Sequence, residues 1–354
     1  MTVTRRFALA SATLVAAPSV ARAQTPRRLR MATSWPRNLP GPGVSAERLA
    51  ARIGRLTGGA LDIQVFSAGD IVPAFGVQEA VGNGTVEMGH TASFFGMGRE
   101  PAQAFFTTIP FGFTPLEHVA WLTQGGGQAL WDELGARNGV KPLLGGNTGV
   151  SMGGWFRREL THVDELKGLK IRMTGLGAEL FQRLGATAIA VPPGDIYPAL
   201  ERGVIDAAEF TSPGADLALG LWRVAPVYAA PGFNKPNGAS ELLIAKPVWD
   251  SLDPAVRAAI ETASEAEHHV ALAEMEKLNM DALATMVGQH GVRLRGFPIE
   301  MLRAAKREAA SLLGDLGTRS SFARQIHGSY TGFQERLSVW TRLSTHAVLA
   351  AREV

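Results

Sequence analysis

Gly69-Asp70-Ile71-Val72-Pro73-Ala74 and Gly194-Asp195-Ile196-Tyr197-Pro198-Ala199 are near-copies of one another in the two halves of a 354-residue chain. Each is followed by a short helical stretch and then by a strand in which an acid comes soon after a valine: Val86-Glu87 in the first half, Val204-Ile205-Asp206-Ala207-Ala208-Glu209 in the second. Working outward from the first copy, Leu61-Asp62-Ile63-Gln64-Val65-Phe66 alternates as a strand. It is preceded by an amphipathic helix from about Ser45 that carries Leu49, Ile53 and Leu56 on one face and stops at Gly58-Gly59. Before that helix, Leu29-Arg30-Met31-Ala32-Thr33 alternates and breaks at Pro36. Around the second copy the same order recurs: strand Leu169 to Met173, helix Gly177 to Leu184, strand Thr187 to Val191. Strands alternating with helices predict mostly parallel sheets covered by helices, and the repeated order predicts two similar α/β lobes. The cleft between them is the expected ligand site.

The junction is Gly145-Gly146-Asn147-Thr148-Gly149-Val150-Ser151-Met152-Gly153-Gly154-Trp155-Phe156, a glycine-rich crossover suited to a hinge or to close backbone approach. The last part reads as helical. Asp253-Pro254 opens a long helix toward Gly288, Met301 to Leu316 follows, and a final helix starts near Phe322 with interruptions expected at Gly328 and Gly332. On it, Phe333, Leu337, Trp340 and Leu343 share nearby turns and need a partner, either the chain's own lobe or a second copy in a homodimer. The expected division is 24–150 with 236–262 as lobe I, 151–235 with 263–318 as lobe II, and 319–354 as the C-terminal helix.

At the start, Arg5-Arg6, the apolar run Phe7 to Val20 and Ala21-Arg22-Ala23 have the charged, apolar and small-residue regions of a secretory signal, cleaved near Ala23-Gln24. The run is too short for a membrane span and contains Pro18. Whether the paired arginines select the folded-protein route or belong to an ordinary signal stays open. Three of the 35 basic residues, Arg5, Arg6 and Arg22, lie in this segment, which leaves 32 to balance 32 acidic ones. A neutral mature chain lacks the basic footprint of a nucleic-acid binder. With no cysteine there is no disulfide, thiolate nucleophile or cysteine-held metal. A periplasmic location is expected.

Taken together, the residues resemble the DctP-type receptors of TRAP transporters, and within them the branch that binds 2-oxo acids such as pyruvate. Thr33-Ser34-Trp35-Pro36, the crossover, Leu166-Lys167-Gly168-Leu169-Lys170-Ile171-Arg172 and Gly203 to Glu209 carry the resemblance over essentially the whole mature chain. It implies a two-lobed periplasmic binding fold with a long connecting helix, closing on a small carboxylate and delivering it to a small and a large integral membrane subunit. It also implies that Arg172 grips the carboxylate, for which a guanidinium's planar fork is suited. A sodium or calcium ion is implied between substrate and protein, held by Glu209, the backbone carbonyl of Phe210, and a crossover glutamine that is Ser151 here. Serine is too short to place its oxygen where a glutamine amide reaches, and hard cations want several oxygens. Further wall residues are Trp35, Phe94, Phe95, Asn147 and Phe233. Pro231-Gly232-Phe233 makes Phe233 the preferred aromatic, whereas Asn147 and Asn234 are alternatively satisfiers of loop backbone.

An enzyme is not expected. Gly41-Pro42-Gly43-Val44-Ser45-Ala46 has the letters of a dinucleotide fingerprint with Asp62 downstream, but the loop before it is proline-rich and Asp62 opens a strand instead of ending one. That leaves an exported nicotinamide-dependent oxidoreductase as a weak alternative, and a sensory receptor as one the same cleft would serve. His268-His269 are adjacent on a helix and point about 100° apart, so they form no two-ligand site and are expected in solvent.

Overall fold

The computed structural model describes residues 25–354, so the expected signal segment lies outside the described residues. Among the described residues eleven strands form two sheets: β1 Arg27–Thr33, β2 Leu61–Phe66, β3 Met88–Thr91, β4 Val140–Asn147, β5 Gly154–Phe156, β6 Lys170–Arg172, β7 Thr187–Ile189, β8 Ala207–Ala208, β9 Val227–Ala230, β10 Ala239–Ala245 and β11 Arg293–Gly296. The first sheet has the order β2-β1-β3-β10-β4 and the second β11-β9-β5-β8-β6-β7. Both are more mixed than the alternation predicts. The βαβ units are parallel, but β10 runs antiparallel to β3 and β4, and β5 antiparallel to β8 and β9. The reason is the route of the chain, since β5 and β10 are the strands that arrive directly from the other sheet.

The two copies of the Gly-Asp-Ile motif occupy corresponding places in chain order but not in detail. Pro73 precedes a turn of 3-10 helix and the helix Val77–Gly82, whereas Pro198 lies inside the helix Ile196–Glu201. Gly69 adopts φ +89° and Gly194 does not take a left-handed conformation. The likeness marks a repeated unit; the backbone does not repeat residue by residue.

Helix Pro42–Leu56 packs Leu49 and Ile53 under the first sheet with Met31, Leu242 and Ile244. Its start is no phosphate cradle. A side chain at Gly41 would meet Thr148 Cγ2 and Met275 Sδ, one at Gly43 would strike the Pro36 carbonyl, and Asp62 is exposed opposite Arg28. The glycines serve close packing, and the dinucleotide alternative loses its motif.

Helix Pro254–His290, 37 residues and about 55 Å at the standard rise, runs along both lobes. Asp253 stands at its N-cap without a side-chain hydrogen bond, and the helix passes through Gly288 to end at the left-handed Gly291. Buried Glu267 ties it to helix Pro42–Leu56, accepting from Ser45 Oγ at 2.9 Å and pairing with Arg48 at 2.8 Å. Further along, Asn279 accepts from Gly214 N at 2.9 Å and donates to the Thr148 carbonyl at 3.2 Å. His268 is buried where solvent was expected, next to Asn147, while its neighbour His269 is exposed.

The C-terminal helix Ser321–Thr341 continues unbroken through Gly328 and Gly332, contrary to the expected interruption, because neither glycine needs a non-helical conformation. Its first half seats Phe322, Ile326 and Tyr330 in an aromatic core, with Tyr330 against Phe113 at 4.1 Å and Trp121 at 5.0 Å between centroids. Phe333 and Leu337 still pack on that core. Trp340 and Leu343, 66% and 75% exposed, do not. Among the described residues no helix is long and apolar enough to cross a membrane.

Candidate functional site

A cavity open to solvent lies between the two sheets. Ligands of α/β folds collect at carboxyl ends of strands, and this cavity follows the rule from both sides. Trp35 follows β1, Phe94 and Phe95 follow β3, and Thr148 follows β4; facing them, Arg172 ends β6, Phe210 and Thr211 follow β8, and Lys235 follows β9. Phe94 and Phe95 lie on a turn of 3-10 helix, Ser93–Gly96, so both rings line the cavity instead of facing opposite ways as on a strand.

Arg172 is 1% exposed, which obliges its charge to be matched internally. Nε donates to the Val191 carbonyl at 2.9 Å and Nη1 to the Glu209 carbonyl at 2.5 Å. No hydrogen bond among the described residues uses Nη2, and the residue borders the cavity. Burial pushes the guanidinium below its ordinary pKa, opposed by the nearby Glu209 and Asp216 carboxylates. A guanidinium fixed by two carbonyls with donors left over is pre-organised for a carboxylate.

Glu209 is equally buried, and its Oε1 stands 2.6 Å from Lys235 Nζ while Oε2 is 3.9 Å from Arg172 Nη1. Lys235 Nζ also donates to the Phe210 carbonyl. Asp216 lies behind this group, with Oδ2 accepting from Trp155 Nε1 at 2.9 Å and Tyr228 Oη at 2.7 Å, and Oδ1 from Thr211 N at 3.3 Å. Burial raises its pKa to about 6 against those hydrogen bonds. On the opposite wall, Trp35 Nε1 donates to His90 Nδ1 at 2.7 Å, which leaves His90 Nε2 to donate to the Gly145 carbonyl at 2.7 Å. That pairing fixes one neutral tautomer.

Of the sequence-predicted residues, Arg172, Phe210, Trp35, Phe94 and Phe95 surround the cavity, with Glu209 bonded directly behind Arg172 and Lys235. Asn147 does not border it. Its Oδ1 accepts from Gly149 N and its Nδ2 donates to Asn237 Oδ1, both at 2.8 Å, so it satisfies the crossover. Phe233 does not line it either: its ring stacks on Phe111 and Phe181 and packs edge-on against Phe297 in the core. Ser151 is 2% exposed and does not line this cavity, and its Oγ has no hydrogen-bond partner among the described residues. Sequence reasoning missed Lys235, His90, Thr148 and Thr211. The hydroxyls of the last two meet at 2.6 Å and join the two halves of the cavity.

Two α/β lobes with a buried cation facing an apolar-walled cavity between them define a solute-binding receptor. The model of the bacterial extracellular solute-binding protein family 7, DctP, matches residues 31–317, and the chain belongs to that family. It is 36% identical over 341 residues to the monocarboxylate 2-oxoacid-binding periplasmic protein of Nostoc sp., covering 96% of this chain and 93% of that one. Among solved structures, a TRAP transporter solute-binding protein of Bordetella bronchiseptica superposes with TM-score 0.90 at 35% identity over 93% of this chain and 98% of that one. It is a mixed-occupancy dimer in which calcium and picolinate fill one active site. A TRAP periplasmic solute-binding protein of Pseudoalteromonas atlantica, with sodium and pyruvate bound, gives 0.88 at 32% identity over 92% and 99%.

The residues present here do not fit such an ion between Glu209 and Phe210. The two oxygens implied as its ligands do converge, but on the Lys235 ammonium. Ser151 adds no third ligand at the cavity, and both oxygens of Asp216 are taken by other donors. Among the described residues no group of three or more His, Cys, Asp or Glu side chains has metal-holding geometry.

Proposed function

We propose that this protein is the periplasmic receptor of a TRAP-type transporter, capturing a small 2-oxo or related monocarboxylate between its lobes and passing it to a small and a large integral membrane subunit. The observation that carries the reading is Arg172: a buried guanidinium, braced by two carbonyls, with donors left over at the edge of the cavity between the sheets. The names of the Nostoc and Pseudoalteromonas relatives support the same ligand class. The lobe division expected from the sequence, with its long connecting helix, suits closure over the acid, and ligand favours closure to the extent that it binds the closed form better. The role is binding without turnover.

The exposed stripe of Val339, Trp340 and Leu343 supports a homodimer through the C-terminal helix, in keeping with the dimeric Bordetella relative. The test is a thermal-shift and calorimetric screen of residues 24–354 against 2-oxo, 2-hydroxy, aromatic and dicarboxylic acids. A rise in apparent stability with one acid, recovered chemically unchanged, is the expected result. No response to any acid, with a shift on adding a nicotinamide nucleotide, would overturn it.

A further inference from the structure

The group facing the Glu209 carboxylate and the Phe210 carbonyl is the side chain of Lys235. Its backbone is held in place by Lys235 N donating to the Gly232 carbonyl at 3.0 Å, in a loop where Gly232 N donates to the Ser151 carbonyl at 3.1 Å. A side chain at Gly232 would strike that same carbonyl, so the two loops are in direct contact. Lys235 and Arg172 also flank one ring, with Nζ and Cζ 5.9 and 5.6 Å from the Phe210 centroid. A metal ion bonded to the same two oxygens would share Glu209 with the ammonium, and the two cations would repel across a site with little water to screen them.

We propose that the Lys235 ammonium is the built-in cation of this receptor. It stands between the Glu209 carboxylate and the Phe210 carbonyl, the oxygens that the resemblance implies as ligands of a metal ion, and the protein takes its acid without one. The inference rests on the carboxylate-receptor reading above and narrows its ligand. An ammonium has three donors. One donates to the Phe210 carbonyl, the ammonium is in ion-pair contact with Glu209 Oε1, which has no hydrogen-bond partner among the described residues, and because Lys235 borders the cavity a donor is available to the ligand. With Arg172 holding the carboxylate, an oxygen on the adjacent carbon is the complementary acceptor. The preferred ligand class is therefore a monoanion with a 2-oxo or 2-hydroxy oxygen, in preference to a plain carboxylate of the same size.

The test is calorimetric titration of pyruvate and propionate into residues 24–354, in choline buffer with chelator, then with added calcium or sodium. Pyruvate affinity is expected to stay within about 3-fold across these conditions and to exceed that of propionate by at least about 10-fold, the worth of one good hydrogen bond. Lys235→Met should lower metal-free pyruvate affinity by about 30-fold or more and abolish the discrimination. The double variant Lys235→Met/Ser151→Gln should gain a calcium-dependent rise in melting temperature, read with calcium alone or with pyruvate. A wild-type protein that loses pyruvate binding under chelation, or a Lys235→Met protein with undiminished metal-free affinity, would overturn the proposal. If neither acid binds wild type under any condition, the carboxylate reading fails by itself. The calcium titrations still judge Lys235, since tight calcium binding by wild type would refute its role and binding gained only in the double variant would uphold it.

Discussion

Trp35 Nε1 donates to His90 Nδ1 at 2.7 Å, and through this bond the first wall of the cavity is anchored to the middle of the first sheet. Trp35→Phe keeps most of the ring but removes the donor, leaving a buried nitrogen unmatched. The expected cost is about 1–3 kcal/mol of stability. Chemical denaturation checks it, and His90→Phe in the Trp35→Phe background should recover part of the loss.

Arg172→Ala removes the buried cation and leaves the Val191 and Glu209 carbonyls without their donor. Acid affinity should fall by about 2–5 kcal/mol, or roughly 30-fold to several thousand-fold. Arg172→Lys should rescue little, because a single ammonium cannot reach both carbonyls and a ligand in the geometry of the planar fork. Calorimetric affinities of the two variants compare them directly.

Stability should pass through a maximum in pH. Burial holds His90, His118 and His268 down at about 4, 3 and 4. The unfolded chain takes up those protons below about 6.5 while the fold refuses them, so their contribution is lost as pH falls from there. Burial moves Glu241 up to about 8 and Asp216 up to about 6. The fold keeps those protons where the unfolded chain has released them, so these acids favour the fold as pH falls from about 8 toward 4. The melting temperature should rise from pH 8 to about 6.5 and then fall, because below that point three histidines oppose two acids. A steady climb from pH 4 to 8 would contradict these assignments.

Trp340→Asp with Leu343→Asp changes only exposed side chains and should leave the melting temperature of dilute protein within a few degrees. If the helix joins two copies, the same pair should halve the mass measured by light scattering.

The strands and their connecting helices were legible because each βαβ unit carries local periodicity: Leu61–Phe66 is a strand over the very residues expected. The place of Arg172, at the end of a strand beside the cavity, was legible through a run of neighbours. Lys235 was not, since a lysine two residues past Gly232-Phe233 has no periodic partner, and its role depends on loops 151 and 232 meeting across the fold. Phe233 misled for the opposite reason. An aromatic after Pro-Gly suits a cavity wall or a core equally well, and the ring of Phe111 across from it decides the matter. The antiparallel strands β5 and β10 were hidden because direction in a sheet is set by where the chain comes from, which no local pattern records.

The two short crossings lie side by side. Thr148 N donates to the Gly238 carbonyl and Gly238 N to the Gly149 carbonyl, both at 3.1 Å, and the long helix makes a third passage beside them. Each sheet is thus assembled from segments that are not contiguous in sequence, and no single cut releases an intact lobe. A chain truncated before β10 lacks the strand that joins β3 to β4, and one truncated before β11 leaves β9 as a bare edge. Neither half is a contiguous stretch of chain, so the two are expected to fold as one unit.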